Sequence, residues 1–108
     1  EKMKGFRQRG GYFTSSVKGS VIEYNFKGTM LGVRLLRSPD GGEVDVWIDG
    51  NEITTLNTWW PFARERYLFI ANGLPPGSHT VRFEVTGRSK AMELTTIPYV
   101  RIASIITD

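Results

Sequence analysis

Cysteine is absent from the 108 residues, and histidine occurs once. The first absence excludes disulfide staples, thiol chemistry and zinc sites built on thiolates. It leaves the redox compartment open, because a disulfide-free domain is at home on either side of a membrane. The second leaves His79 as the sole candidate base for a Ser-His-Asp arrangement. No apolar run approaches the roughly 20 residues that span a bilayer, so no membrane partner is expected. Charge of one sign is also scarce: 14 Lys+Arg stand against 11 Asp+Glu, a formal net charge of +3. Four of the basic residues, Lys2, Lys4, Arg7 and Arg9, fall in the first nine positions, while Arg34, Arg37, Arg64, Arg66, Arg82, Arg88 and Arg101 are scattered among acids. A nucleic-acid binder shows a clustered basic face or a reading element. Neither is visible, and no nucleic-acid partner is expected.

What is present is alternation at period two. Val44, Val46 and Ile48 alternate with Asp45 and Trp47, and Val81, Phe83 and Val85 with Arg82 and Glu84. Ile22, Tyr24 and Phe26, then Leu31, Val33 and Leu35, repeat the pattern, and Val100, Ile102 and Ile106 interleave with Arg101 and Ala103. Each run reads as an antiparallel strand with one face on a core. Turn signals separate them: Ser38-Pro39-Asp40-Gly41-Gly42, Asp49-Gly50-Asn51, Gly73-Leu74-Pro75-Pro76-Gly77, and Gly87-Arg88-Ser89-Lys90 opening the last connection. Eight strands are expected, over 11–14, 20–26, 29–36, 43–49, 52–57, 66–71, 78–86 and 98–107. The fold class is all-β, a two-sheet antiparallel β-sandwich of jelly-roll type. Residues 1–10 read as an N-terminal tail or linker and 11–108 as a single domain. The first residues are too polar for a signal peptide, so an export signal is expected to have been removed or to lie outside this chain.

Catalytic chemistry is thinly supplied. Neither a Gly-x-Ser-x-Gly elbow nor a Gly-Asp-Ser nucleophile block occurs. His79 shares parity with Val81, Phe83 and Val85, which points it toward the core side and a bond to a neighbouring turn. Glu43, Asp45 and Asp49 lie on the outward face of one strand, and i, i+2 residues there stand about 6.5–7 Å apart, a spacing that a glycosidase pair tolerates. Exposed acids are equally the ordinary means of keeping a sheet soluble. No catalytic residue is assigned. A structural calcium would draw on Asp40, Asp49, Asn51 and Glu52 in two turns, which face one another or lie far apart; no metal ligand or cofactor is assigned.

The aromatic residues carry the most information. Trp59-Trp60-Pro61-Phe62 precedes Ala63-Arg64-Glu65-Arg66. Three large aromatics in a loop either bind something or fill the open end of the sandwich. Sugar rings present a flat C–H face that stacks on an indole, while hydroxyls pair with Arg, Asn, Asp and Glu. The candidate ligand-binding set is Trp59, Trp60, Arg64, Arg66 and Asn57 in this loop, with only one indole of the adjacent pair facing out. Trp47 is the second candidate, either stacking a sugar on the sheet face or lying under a cover supplied by the N-terminal tail, Tyr12, Phe13 or Tyr67.

Several strings together resemble a known group. Phe26-Lys27-Gly28-Thr29, the run from Gly41 to Gly50, Gly73-Leu74-Pro75-Pro76-Gly77-Ser78-His79-Thr80-Val81, Val85-Thr86-Gly87 and Tyr99-Val100-Arg101-Ile102 resemble the galactose-binding-like β-sandwich modules of bacterial carbohydrate-active proteins. Those modules stand beside SGNH-type esterases and glycoside hydrolases. The resemblance runs from about Tyr12 to Ile106. It implies a non-catalytic carbohydrate-binding or accessory module of a larger extracellular or cell-surface protein. Its expected partners are a polysaccharide or glycan and a parent catalytic domain. The alternative is a structural interaction domain, packed on that catalytic domain or in a surface or phage assembly, without a sugar site.

Overall fold

The computed structural model describes residues 2–89 and 97–108. Ten strands succeed one another: β1 (Lys2–Lys4), β2 (Arg7–Arg9), β3 (Tyr12–Ser15), β4 (Val21–Lys27), β5 (Leu31–Arg37), β6 (Gly42–Ile48), β7 (Asn51–Asn57), β8 (Arg64–Ala71), β9 (Ser78–Ser89) and β10 (Val100–Thr107). They form two five-stranded sheets, ordered β1-β4-β9-β6-β7 and β2-β3-β10-β5-β8. Every paired neighbour is antiparallel. The expected all-β, two-sheet sandwich is therefore the fold, built from ten strands rather than eight.

Alternation explains the interior. On β6, Gly42, Val44, Val46 and Ile48 are buried while Glu43, Asp45 and Trp47 are half-buried on the other side. Ile22, Val44, Val46, Val81, Phe83 and Val85 from the first sheet meet Leu31, Val33, Leu35, Val100 and Ile102 from the second in one core. Burying a side chain the size of Phe83 contributes about 1.5–3 kcal/mol.

Four expectations need correction. The segment read as a tail instead adds a strand to each sheet: β1 pairs with β4 and β2 with β3. Phe6, between them, is only 6% exposed and joins the core. The chain crosses between sheets at Gly5, whose φ of 88° and contact with Ser20 leave no room for a Cβ. Second, a bulge at Ala103 reverses the parity of β10, so that Ile105 pairs with buried Val33 while Ile106 pairs with Gly32 on the outward side. Third, β9 runs on through Gly87-Arg88-Ser89, with Gly87 at φ 80°, where a turn was expected to open; Lys90 lies outside the described residues. Last, Trp47 does not sit under the expected covers. Tyr12, Phe13 and Tyr67 belong to the other sheet, and the N-terminal strand β1 extends Trp47's own sheet at the far edge.

Candidate functional site

The aromatic loop is fixed at its start by backbone hydrogen bonds. The Ser38 N–H donates to the Thr58 carbonyl at 3.0 Å, Thr58 N–H to Gly42 at 3.1 Å, and Trp60 N–H to Ser38 at 3.0 Å. Asn57 accepts from the Trp59 N–H through Oδ1 at 3.0 Å, an Asx bond that orders the turn. Arg66 pairs with buried Leu35, which turns it to the inner side of β8. There its guanidinium lies 5.9 Å from the centre of the Trp60 ring, with that of Arg37 at 5.3 Å. Phe62 meets Trp60 edge-on at 6.3 Å and remains 55% exposed. The loop thus brings Trp60, Arg66, Arg37 and Phe62 together; Arg64 is exposed and Trp59 half-buried.

Trp47 stands elsewhere. The hairpin register sets it opposite Glu52, at the far end of β7 from Asn57, roughly 17 Å away at strand spacing. Trp47 and the loop candidates therefore do not converge on one sugar ring. Across the outward face of the first sheet, register aligns Lys2, Glu23, Arg82, Trp47 and Glu52 in one row. The Arg82 guanidinium lies 4.8 Å from the Trp47 ring centre and pairs with Glu84 at 3.3 Å. Beside it opens a cleft of about 150 Å³ lined by Glu23, Trp47, Gly50, Thr80 and Arg82. Within the described residues the Trp47 indole N–H and Arg82 Nε have no hydrogen-bond partner.

The outward acids are engaged one by one. Glu43 accepts from Arg88 Nε at 3.0 Å and Asp45 from the Thr55 hydroxyl at 2.6 Å. Asp49 accepts from the Thr80 N–H at 2.9 Å and lies 2.6 Å from His79 Nδ1. His79 Nε2 lies 2.6 Å from the Pro75 carbonyl. Both imidazole nitrogens thus face acceptors, an arrangement that the protonated ring satisfies by donating from both. The bond to Asp49, and then that to Pro75, raises the His79 pKa; the same contact lowers that of Asp49. His79 is a buried clasp between the β6–β7 turn and the β8–β9 loop. Asp49 and Gly50 form that turn with φ of 51° and 84°, as a two-residue hairpin requires.

Asp40 lies at the opposite end of β6 from Asp49, Asn51 and Glu52, so the two turns considered for calcium do not face one another. Arg101 binds Asp40 through two bonds of 2.9 Å and holds its carboxyl below the usual range. Among the described residues no group of three or more His, Asp or Glu is placed to hold a metal ion.

One surface escaped the sequence reading. On the outward face of the second sheet, the Tyr12 hydroxyl donates to Glu65 at 2.7 Å and Arg34 Nη1 donates to the other carboxylate oxygen at 3.1 Å. The bond to Glu65 raises the Tyr12 pKa, and Tyr12 and Arg34 together lower that of Glu65. Beside this hub, Tyr67 is 69% and Phe69 64% exposed on the edge strand β8. Period two places these rings on one face, opposite Leu68 and Ile70, which was the available signal. Toward β2 the same face carries a groove of about 690 Å³. Its basic wall was hidden because residues 1–10 read as a tail.

Residues 7–97 match the family described as Carbohydrate esterase 2 N-terminal. The chain is 33% identical over 64 residues to the A type blood N-acetyl-alpha-D-galactosamine deacetylase of Flavonifractor plautii, a match covering 59% of this chain and 8% of that protein. A family two carbohydrate esterase from Clostridium thermocellum, solved in complex with cellohexaose, superposes with a TM-score of 0.74 at 17% identity, over 100% of this chain and 30% of that one. The CBM36-1 domain of a multidomain xylanase from the hindgut metagenome of Trinervitermes trinervoides superposes with a TM-score of 0.66 at 14% identity, covering 96% of this chain and 86% of that one. The chain spans under a third of the esterase and under a tenth of the deacetylase. Among the described residues no helix is long and apolar enough to cross a membrane.

Proposed function

The chain belongs to the carbohydrate esterase 2 N-terminal family, and from that premise we propose that it is a non-catalytic accessory module holding a glycan beside the catalytic domain of a longer, secreted protein. The Trp47 cleft carries this reading. It sets the Trp47 indole, one face of which the Arg82 guanidinium overlies, with the carboxylate of Glu23 and the hydroxyl of Thr80 around about 150 Å³. A few directional polar groups on an apolar wall are what a small concave ligand site needs, and a sugar ring offers the complementary C–H face and rim hydroxyls. The non-catalytic part rests on His79, whose two ring nitrogens are both occupied by Asp49 and Pro75 and so do not serve as a base toward a nucleophile.

The test is affinity electrophoresis of the chain in soluble neutral glucan and mannan, with far-ultraviolet circular dichroism confirming the fold of each variant. Aromatic stacking of this kind is worth about 1–2 kcal/mol, so Trp47→Ala is expected to weaken binding roughly tenfold. Binding that survives Trp47→Ala but is lost in Trp60→Ala or Arg64→Ala moves the site to the loop between Asn57 and Arg66. No retardation of the wild type by any neutral glycan rejects the reading.

A second reading is favoured by one observation. Among the described residues strand β8 is an unpaired edge carrying the exposed rings of Tyr67 and Phe69, with Phe62 just before it. Such an edge is a template for association, and its natural occupant in a two-domain protein is the catalytic domain.

A further inference from the structure

We propose that the groove on the outward face of the second sheet binds an acidic polysaccharide whose sugar rings carry carboxylates. The groove measures about 690 Å³, more than four times the Trp47 cleft. Register sets its floor: Arg7, Thr14, Arg101 and Leu36 form one row across β2, β3, β10 and β5, and Arg9 and Tyr12 begin the next.

Charge selects the ligand. Arg101 is neutralised by two bonds to Asp40 at 2.9 Å. Glu65, the acid on the neighbouring rows, is taken by Tyr12 and Arg34. Arg7 and Arg9 are exposed, and neither makes an ion pair or side-chain hydrogen bond among the described residues. The groove therefore presents two uncompensated guanidinium groups on one strand face, about 7 Å apart along the chain. A guanidinium is the side chain best suited to grip a carboxylate through two parallel hydrogen bonds. The Tyr12 ring in the lining offers apolar surface to a sugar C–H face, while the Tyr99 ring is overlain by the Arg101 guanidinium at 4.9 Å.

A nucleic acid fits less well. Among the described residues the unpaired basic side chains of this face are limited to β2; Arg34 and Arg101 are held by Glu65 and Asp40, and the rest carries the exposed rings of Tyr67 and Phe69.

This site is separate from the Trp47 cleft, so the two readings fail separately. The chain is run in affinity electrophoresis against polygalacturonate, neutral galactan and duplex DNA, at low and high salt. Polygalacturonate is expected to retard it, and the Arg7→Gln/Arg9→Gln double variant to weaken that binding at least tenfold with an unchanged dichroism spectrum. High salt should weaken it further, because exposed charges are screened, while Trp47→Ala should leave it as in the wild type. Absence of retardation by polygalacturonate, equal retardation of the Trp47→Ala variant by neutral galactan, equal retardation by duplex DNA, or wild-type binding by the double variant would each overturn the proposal.

Discussion

The two sheets share one core but differ on their outward faces. The first sheet's face is an ionic lattice: Glu43 with Arg88, Glu84 with Arg82, and a single indole roofed by Arg82. The second sheet's face gathers its pairing into a central hub of Tyr12, Glu65 and Arg34. Among the described residues both its edges are left open, with Arg7 and Arg9 on β2 and Tyr67 and Phe69 on β8. Inner faces of a sandwich must match each other, because each is the other's solvent. Outer faces carry no such constraint and are free to diverge toward different ligands.

The comparison breaks most completely at the shared core. Phe83 is fully buried and meets Tyr24 edge-on at 6.3 Å. Phe83→Ala is expected to cost about 3–5 kcal/mol through lost burial and the cavity left behind. Urea unfolding followed by tryptophan fluorescence and by dichroism should give coincident transitions shifted together, since neither face has a core of its own. Separate transitions for the two probes would mean that the sheets are stabilised independently.

The His79 clasp sharpens the comparison through pH. Asp49 raises the His79 pKa, so the stability the imidazolium contributes is complete below its ordinary value of 6.5 and is lost as pH rises through the raised value. Asp49 is shifted the other way, so its contribution is complete above 3.8 and is lost as pH falls through the lowered value. Between those limits the clasp is intact. The melting temperature of the wild type should exceed that of His79→Gln most clearly at about pH 5–6, with the gap narrowing on the alkaline side. A gap independent of pH would show that His79 acts through packing against Phe26 rather than through charge.

Period two made the interior legible from sequence, including Val44, Val46, Val81, Phe83 and Val85. It failed where the backbone inserts a residue. The bulge at Ala103 exchanged Ile106 for Ile105, and another leaves Ile53 unpaired between Glu52 and Thr54. Strands β1 and β2 were invisible for a different reason: Lys-Met-Lys and Arg-Gln-Arg are exposed edge segments of three residues, too short and too polar to alternate. Parity did place Trp47 outward. Its Arg82 roof depends on cross-strand register, and the Arg7–Thr14–Arg101 row depends on β2, so neither was readable from one strand at a time.

The smallest expected effect concerns the open edge of the second sheet. Tyr67 and Phe69 point away from the core and are mostly exposed, so truncating them removes little buried area. Tyr67→Ser and Phe69→Ser are each expected to change the stability of the isolated chain by no more than about 0.5 kcal/mol, measured by urea unfolding. A larger loss would mean that β8 contributes to the core through its outward face, which its alternation with half-buried Leu68 and Ile70 opposes. The same substitutions become informative in a longer protein that includes the catalytic domain. If β8 is the docking edge, the pair of rings is buried there, and the double variant should separate a single cooperative thermal transition into two. If the edge faces solvent in that protein as well, the thermal profile should stay unchanged, and the exposed rings would then be available to a glycan or to another chain.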